Sequence, residues 1–394
     1  MAITVLTGFA EAFAAVEATW SLQSAGMEVV LLARAGRRSA ARKVRGVRVV
    51  EVTAPETSAT QCLRDIEKLV SDGGLDAFLP LDDAALWVAG NARWRATVVA
   101  GPSPDAASWA LDKSRQFDSA RRAGLDVPES TVFECPELLA PVAYPCVLKA
   151  TLPVALIGDT LVRPPGVVCL DATELAVARA RLAPVPTVAQ TMVNGVGEGV
   201  FGIFDGEHIR AVSGHRRIRM VNPQGSASSA CGSIDVDPHL AEGVRRMLRE
   251  VGWQGEFMAE FLRDRDGTAW FMELNGRAWG SLALARRRGF EYPAWTVQHA
   301  LNLPLSPPAP IAADHVRCRH VGREITHLAF VARGPRSSAL SQWPTLSRSV
   351  RDVLTVRRSD TFYNWNPRQP GILAIDTWRT LKEQLDGVRG RHGK

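Results

Sequence analysis

Lysine is scarce in this chain. Its 394 residues include 47 lysines and arginines against 41 aspartates and glutamates, a net charge of +6, but only six of these cations are lysines. Proteins that follow a nucleic-acid backbone usually gather lysine and arginine into dense blocks on one face. The longest cationic run here is three arginines, at 286–288. The positive charge therefore indicates a bias towards arginine, and we expect no nucleic-acid partner.

Other absences narrow the class further. The six cysteines contain no C-x-x-C pair and the eight histidines lack metal-ligand spacing, so neither a disulfide framework nor a zinc site is predicted. No apolar run approaches the roughly 18 residues of a membrane span, and residues 3–7 resemble a strand rather than a signal peptide. We expect a cytoplasmic protein without a membrane partner. The loop after the first predicted strand reads Thr7-Gly8-Phe9-Ala10 instead of the G-x-G-x-x-G fingerprint, which argues against a nicotinamide cofactor.

Apolar runs alternate with amphipathic stretches at the start of the chain, which predicts a parallel sheet with crossover helices. After about residue 187 the pattern becomes antiparallel. The predicted strands of the first part are Ile3–Leu6, Glu28–Ala33, Val47–Val52, Ala77–Leu81 and Thr97–Ala100, with helices over Glu11–Ala25 and Ser58–Val70. Later we predict a helical segment over Pro104–Gly124, an irregular stretch over Leu152–Pro165, strands near Val188–Val193, Val200–Phe204 and Ile209–Ser213, a polar loop over Asn222–Ser233 and a helix over Leu240–Val251.

The most informative stretch is residues 255–281. Asp266-Gly267 lies between two apolar runs and is a strong signal for a two-residue hairpin turn. That turn places Glu260 opposite Glu273, with Asn275 on the same face. Opposed like charges destabilise a hairpin, so something must offset them. Two carboxylates and an amide oxygen suit Mg²⁺ or Mn²⁺, which proteins hold together with substrate phosphates; a solvated outer face is the alternative.

Two of the six lysines occupy unusual positions. Lys149 lies inside an apolar run, where an unpaired ammonium is costly, so either a ligand phosphate pairs with it or its side chain reaches solvent from the strand end. Lys113 follows Leu111-Asp112 at a predicted helix start, where anions bind, although it could be an ordinary surface lysine. Asp82-Asp83 ends a predicted strand and could receive an amine or cap the next helix.

Taken in order, these pieces resemble the ATP-grasp superfamily, and in particular the predicted ATP-grasp carboligases, or carboxylate–amine ligases. The resemblance covers about residues 1–305 and rests most on Glu-Leu-Asn-Gly-Arg-Ala-Trp-Gly-Ser-Leu from Glu273, with support from residues 214–219 and from Gly225-Ser226. It implies an α/β chain (α+β in the core) with the ATP-grasp fold and a Rossmann-like N-terminal domain. The implied boundaries are 1–105 for that domain, 106–193 for linker helices and the ATP-binding lid, 194–305 for the core with the metal site, and 306–394 for a C-terminal extension.

The resemblance also implies roles for single residues. Catalytic roles would belong to Arg277, Lys149 and Arg217. The ATP phosphates would bind to Lys113 and Lys149, the adenine would contact Gln190, Thr191, Met192 and Val193, and the ribose would bind to Glu198. Two Mg²⁺ or Mn²⁺ ions would bind to Glu260, Glu273 and Asn275. The segment Asn222–Ser233 would be a mobile loop over the site. Two positions depart from the pattern: Thr191 stands where glutamate is frequent, and Ala150 where proline commonly follows the lysine.

The implied reaction is ATP-dependent formation of an amide bond from a carboxylate and an amine. It runs through an acyl phosphate and releases ADP and phosphate, with an amino acid or a similar acid as substrate; a homodimer is compatible with the resemblance. A kinase or thiol ligase on the same fold is one alternative. A nucleotide-binding regulatory protein without catalysis is the other.

Overall fold

A computed structural model describes residues 2–140, 142–225, 227–305, 315–335 and 343–392. The chain begins with a five-stranded parallel sheet in the order β3-β2-β1-β4-β5. Its central strands are buried on both faces, because alternate residues such as Leu6 and Val5 enter separate apolar clusters. The elements are β1 Thr4–Gly8, α1 Ala15–Ser24, β2 Glu28–Arg34, β3 Val47–Val52, α2 Ala59–Ser71, β4 Ala77–Pro80, α3 Asp83–Asn91 and β5 Val98–Val99.

The single helical segment predicted over Pro104–Gly124 is two helices, α4 Pro104–Ala110 and α5 Lys113–Arg122. The break follows from the cap of α5, because the Asp112 carboxylate accepts a hydrogen bond from the Ser114 N–H at 2.9 Å. Lys113 is therefore the first residue of a helix, as the sequence suggested. Asp82 caps α3 in the same way, accepting from the Ala85 N–H at 2.8 Å.

A small antiparallel sheet follows, in the order β10-β7-β11-β6. Leu152–Pro165, predicted to be irregular, contains the short hairpin β8–β9 instead. Its turn residue Asp159 accepts the Ala59 N–H at 2.7 Å and the Thr60 N–H at 2.8 Å, so the hairpin closes on the start of α2. The elements are β6 Ser130–Phe133, β7 Cys146–Ala150, β8 Ala155–Ile157, β9 Thr160–Val162, β10 Val167–Cys169, α6 Ala172–Arg179 and β11 Thr187–Thr191.

The third sheet has seven strands in the order β16-β15-β12-β13-β14-β17-β18, and its last two strands come from the C-terminal extension. Helix α7 packs beneath it with Val244, Met247 and Leu248 fully buried. The elements are β12 Val196–Phe204, β13 Ile209–Met220, β14 Ser228–Ile234, α7 Pro238–Glu250, β15 Gly255–Arg263, β16 Ala269–Asn275, α8 Leu282–Arg287, α9 Tyr292–Ala300, β17 Arg317–Arg319, α10 Val321–Arg333, α11 Leu346–Leu354, β18 Asp360–Phe362 and α12 Gly371–His392.

The loop predicted over Asn222–Ser233 was wrong in its second half, where β14 begins at Ser228. Its small side chains resemble a loop in sequence, yet Ser229, Ala230 and Cys231 are fully buried because strands pair on both sides of them. Ser226, part of the same prediction, lies outside the described residues. Among the helices in the described ranges, none has both the length and the apolar character needed to cross a membrane.

Candidate active site

The hairpin β15–β16 pairs Glu260 with Glu273 as predicted, and Met258 with Asn275. The predicted two-residue turn was wrong. The loop is closed instead by Asp264, whose N–H donates to the Thr268 carbonyl at 3.0 Å. This loop shifts the strand pairing by one residue from the predicted register. An irregularity next to Glu260 then restores the predicted pairing. Two local deviations therefore cancel, and the two carboxylates and Asn275 share one face.

Cations offset the repulsion between the two carboxylates. Arg217, on β13, forms an ion pair with Glu260. The Lys113 ammonium lies 3.2 Å from the Glu273 carboxylate. Gly197 makes room for the arginine, because a Cβ at Gly197 would lie only 2.4 Å from the Arg217 Cδ. The like charges that the sequence placed together are thus stabilised by protein groups.

Lys149, on β7, contacts the neighbouring strand of its own sheet and helix α5. Its ammonium donates to the Gln190 amide oxygen at 2.9 Å and lies 5.2 Å from the centre of the Phe117 ring. Burial lowers the pKa of Lys149 to about 8, with Glu273 opposing the shift and Lys113 adding to it. Because the hydrogen-bonding partner of Lys149 is neutral, the positive charge of the ammonium is only partly balanced and is available to bind an anion.

Glu273 is positioned by a side chain that the sequence did not single out. The Gln116 amide on α5 accepts the Leu274 N–H at 2.7 Å and donates to the Leu274 carbonyl at 3.1 Å. This clamp fixes the backbone next to Glu273. Burial opposes ionisation of Glu273, but Lys113 and Lys149 hold its pKa below the ordinary value. The carboxylate is therefore charged at neutral pH.

Arg277 connects the third sheet to the first. Its guanidinium donates to Asp83 at 2.9 Å, and Arg163, beyond β9, pairs with the same carboxylate. Burial opposes ionisation of Asp83, but Arg277 first and Arg163 next hold its pKa below the ordinary value. Asp82 has the capping role described above, and it also pairs with Arg34 at 3.2 Å. The Asp83 carboxylate thus holds both Arg277 and Arg163, and it joins the three segments that carry these residues.

A cavity of about 360 Å³ lies where these segments meet. It is lined by five of the predicted site residues, Lys113, Lys149, Glu273, Asn275 and Arg277. Asp83, Gln116 and Arg163 line it as well. The sequence could have identified Gln116, because it is a polar residue on the buried side of α5. It could not have identified Arg163, because nothing in the sequence distinguishes this arginine from the many others. Ala150, Leu152 and Pro153 supply an apolar wall.

The remaining predicted residues lie at different distances from this cavity. Gln190 contacts Lys149, as described. The next two N–H groups of that segment are taken, since Thr191 donates to the Glu129 carbonyl at 2.9 Å and Met192 to the Pro145 carbonyl at 3.2 Å. A base bound along this segment would therefore depend on carbonyl oxygens and on Val193.

Glu198 does not join the others. It pairs with Phe261 in the β12–β15 register, one position from Glu260, and so its side chain lies on the opposite face of the sheet. There it is buried and accepts from Arg216 at 2.6 Å and from Arg263 at 2.8 Å. These ion pairs hold Glu198 on the face opposite Glu260, and the ribose role that the resemblance implies for it stays a prediction.

No protein-family model matches the chain, and no curated protein matches its sequence. Solved structures do match. The chain is similar to an L-amino acid ligase from Bacillus licheniformis, at 15% identity and a TM-score of 0.57 over 77% of this chain and 75% of that one. It is also similar to the ADP complex of PurK, N5-carboxyaminoimidazole ribonucleotide synthetase, at 15% identity and 0.61 over 89% and 96%.

A third similar structure is a biotin carboxylase–ATP complex from Campylobacter jejuni, at 15% identity and a TM-score of 0.59 over 80% of this chain and 74% of that one. The chain has the ATP-grasp fold. The fold class predicted from the sequence is thereby confirmed. In this ATP-grasp fold the cavity lies between the small antiparallel sheet and the seven-stranded sheet, with Lys149 on the first and Glu273 on the second.

The residues of this face fit a hard divalent cation only together with a ligand. Within the described ranges, no three of His, Cys, Asp and Glu form a metal-binding group. Glu260 and Glu273 supply two carboxylates and Asn275 one amide oxygen. Mg²⁺ usually takes few protein ligands and completes its octahedron with water and phosphate oxygens. The donor set therefore suits Mg²⁺ bound with a phosphate compound.

Proposed function

We propose that this protein is an ATP-dependent ligase that joins a carboxylate to an amine. The observation that carries the proposal is the convergence of Lys113, Lys149, Glu273 and Asn275 on one cavity. Two lysines next to a face that carries a carboxylate and an amide oxygen form an arrangement suited to a nucleoside triphosphate and its metal. The similar structures support this assignment by their names, an L-amino acid ligase among them, and by the ADP and ATP in their complexes.

The nucleotide phosphates would lie against Lys113 and Lys149. A phosphate would restore to Lys149 the charge stabilisation that burial removes, because an ammonium–phosphate contact is a charge-assisted bond. The segment Gln190–Val193 would contact the base. Mg²⁺ or Mn²⁺, as one ion or two, would be held by Glu260, Glu273 and Asn275. When bound, the metal would neutralise the charge on the phosphates.

The reaction follows from this placement. An oxygen of the substrate carboxylate attacks the γ-phosphorus, and ADP leaves. The amine then attacks the acyl carbon of the resulting acyl phosphate, phosphate leaves and an amide remains. Lys149 and Arg277 stabilise negative charge as the phosphoryl group moves, and Asp83 keeps the Arg277 guanidinium in place at 2.9 Å. Arg217 stabilises Glu260 and could also contact phosphate.

The experiment measures ADP and phosphate release against pairs of amino acids, with mass detection of products. The account predicts release of both ADP and phosphate together with a condensed product. ADP release with phosphate retained on the substrate would identify a kinase instead. K149A and E273A should abolish turnover without unfolding the protein. The matched controls are K68A and E242A, which alter exposed helix residues and should keep full activity. Turnover surviving in K149A and E273A would overturn the site assignment.

A further inference from the structure

A second cavity, of about 570 Å³, adjoins the first. Arg163 and Arg277 line both, so the two spaces meet where the transferred phosphoryl group would lie. The walls of the second cavity come from the carboxyl end of the parallel sheet, the stretch 277–280, the segment 221–227 and the C-terminal extension, with Arg163 beside them. Apart from Arg277, no residue with a role in the proposed ATP site lines this space.

One part of the second cavity has carboxylates gathered around a single arginine. Glu11 and Asp82 line it, and both pair with Arg34, at 3.4 and 3.2 Å. Glu56 pairs with the same arginine at 2.9 Å. Three carboxylates thus share one guanidinium. The Glu11 Oε1 is buried and accepts no hydrogen bond from any described residue. A cationic group would complete this end.

The other end carries an arginine without a carboxylate. Arg323, on α10, lies 3.5 Å above the centre of the Phe13 ring and donates to the Ser228 carbonyl at 3.0 Å. No carboxylate pairs with it among the described residues. Burial lowers the pKa of Arg323 to about 10. By contrast, Arg379 in the same cavity pairs with Glu383 at 2.7 Å and donates to the Glu11 backbone carbonyl at 3.2 Å, which leaves the Glu11 carboxylate to Arg34.

The two ends are close enough for one small molecule. Glu11 and Phe13 are two residues apart in one loop, so their Cα atoms are at most about 7 Å apart. The cavity lining also includes Trp279 and several small apolar side chains, namely Ala10, Ala12, Ala14, Ala40 and Ala41.

We propose that this second cavity binds the amine-supplying substrate, and that this substrate is an α-amino acid. Glu11 and Asp82 face its amino group, and Arg323, supported by Phe13, binds its free carboxylate. The proposal rests on the ligase function proposed above. It makes Arg323 a specificity-determining residue: the enzyme condenses amines that carry a carboxylate, and the product keeps that carboxylate.

The test is saturation-transfer NMR on the full chain with a mixture of the standard L-amino acids and, separately, their carboxamides. Each mixture is measured alone and with Mg²⁺ and the β,γ-imido analogue of ATP. We expect wild type to bind acids in preference to amides. R323Q should weaken acid binding by about tenfold or more and lose the preference. R323K should keep part of the preference, and the exposed R210Q should behave as wild type.

Equal binding of acids and amides by wild type would overturn the proposal, and so would unchanged acid binding in R323Q or no acid binding under either condition. Thermal unfolding of each variant shows that the fold is kept, and R323K retains the charge if R323Q unfolds. Binding of the ATP analogue is measured in the same samples. Its absence overturns the ligase function itself, whereas its presence without acid preference overturns only the amino-acid site.

Discussion

At the scale of single residues, the site depends on charges that burial leaves incompletely balanced. Lys149 has a neutral partner, Gln190, at 2.9 Å, and burial lowers its pKa to about 8. The sequence identified this lysine because an ammonium inside an apolar strand requires an explanation. It could not identify the partner of Arg277, because Asp83 is 194 residues away and only the complete fold brings the two together.

The pH dependence of nucleotide binding should report on Lys149. Below pH 8 the ammonium is charged, and phosphate binding requires no proton uptake. As the pH rises through about 8, the free protein loses this proton, so the affinity for Mg·ATP should fall by up to about tenfold per pH unit. Glu273, Glu260 and Lys113 set the field around Lys149. Calorimetry between pH 6 and 9.5 measures the effect, and K149R should not show it, because arginine stays charged.

Glu256 gives a second pH effect, on stability. Burial raises its pKa to about 8, and neither of its oxygens accepts a hydrogen bond from the described residues. The unfolded chain ionises this group near its ordinary pKa, so stability should fall between about pH 4.5 and 8. E256Q removes the ionisation and should raise the melting temperature more at pH 8 than at pH 5. An equal shift at both values, or a shift of similar size in the exposed E242Q, would contradict this.

At the scale of elements, sequence periodicity predicted most strands and helices. It missed the features that depend on contacts with neighbouring strands. The hairpin shows both outcomes. The turn signal placed Glu260 opposite Glu273 correctly, although the turn itself differs and a compensating irregularity restores the register. The segment from Ser228 was predicted as a loop because its residues are small and polar. Its strand conformation depends on β13 and β17, which are distant in sequence.

Gly197 on β12 should tolerate no side chain. In G197A the added Cβ would lie 2.4 Å from the Arg217 Cδ, and so the arginine must move from Glu260. We expect a loss of about 1–3 kcal/mol in the free energy of unfolding, as for other overpacked sites. Urea denaturation measures it. G371A is the control, since a Cβ at that glycine meets no atom within 4 Å. Equal stability of the two variants would show that Arg217 is not constrained by Gly197.

At the scale of the whole molecule, the C-terminal extension is built into the seven-stranded sheet. The sequence separated it as residues 306–394 without a role. In the structure β17 and β18 extend the seven-stranded sheet, and a buried ion network joins them to α10. Arg319 pairs with Glu324 at 2.8 Å and with Asp360 at 3.0 Å, and Arg219 on β13 pairs with the same Glu324. Pairing of this kind depends on the assembled fold, which sequence pattern does not reveal.

Removing Glu324 should loosen this connection. E324A leaves Arg219 and Arg319 without their shared carboxylate in a buried position, and breaking such a pair costs about 3–5 kcal/mol. Chemical denaturation should show that loss, and limited proteolysis should cut the extension first. E242A removes an exposed helix pair of the same type and should cost at most about 1 kcal/mol. A loss of similar size in both variants would contradict a structural role for the network.

Calorimetric titration of ATP into the protein, with and without Mg²⁺, tests whether the first cavity binds a nucleotide together with a metal. We expect Mg²⁺-dependent binding to wild type and to the exposed-lysine control K68M. We also expect a loss of affinity of about tenfold or more in K149M and in E273Q, because each removes a charge that faces the cavity. No binding by wild type at millimolar ATP, or undiminished binding in both cavity variants, would contradict the account.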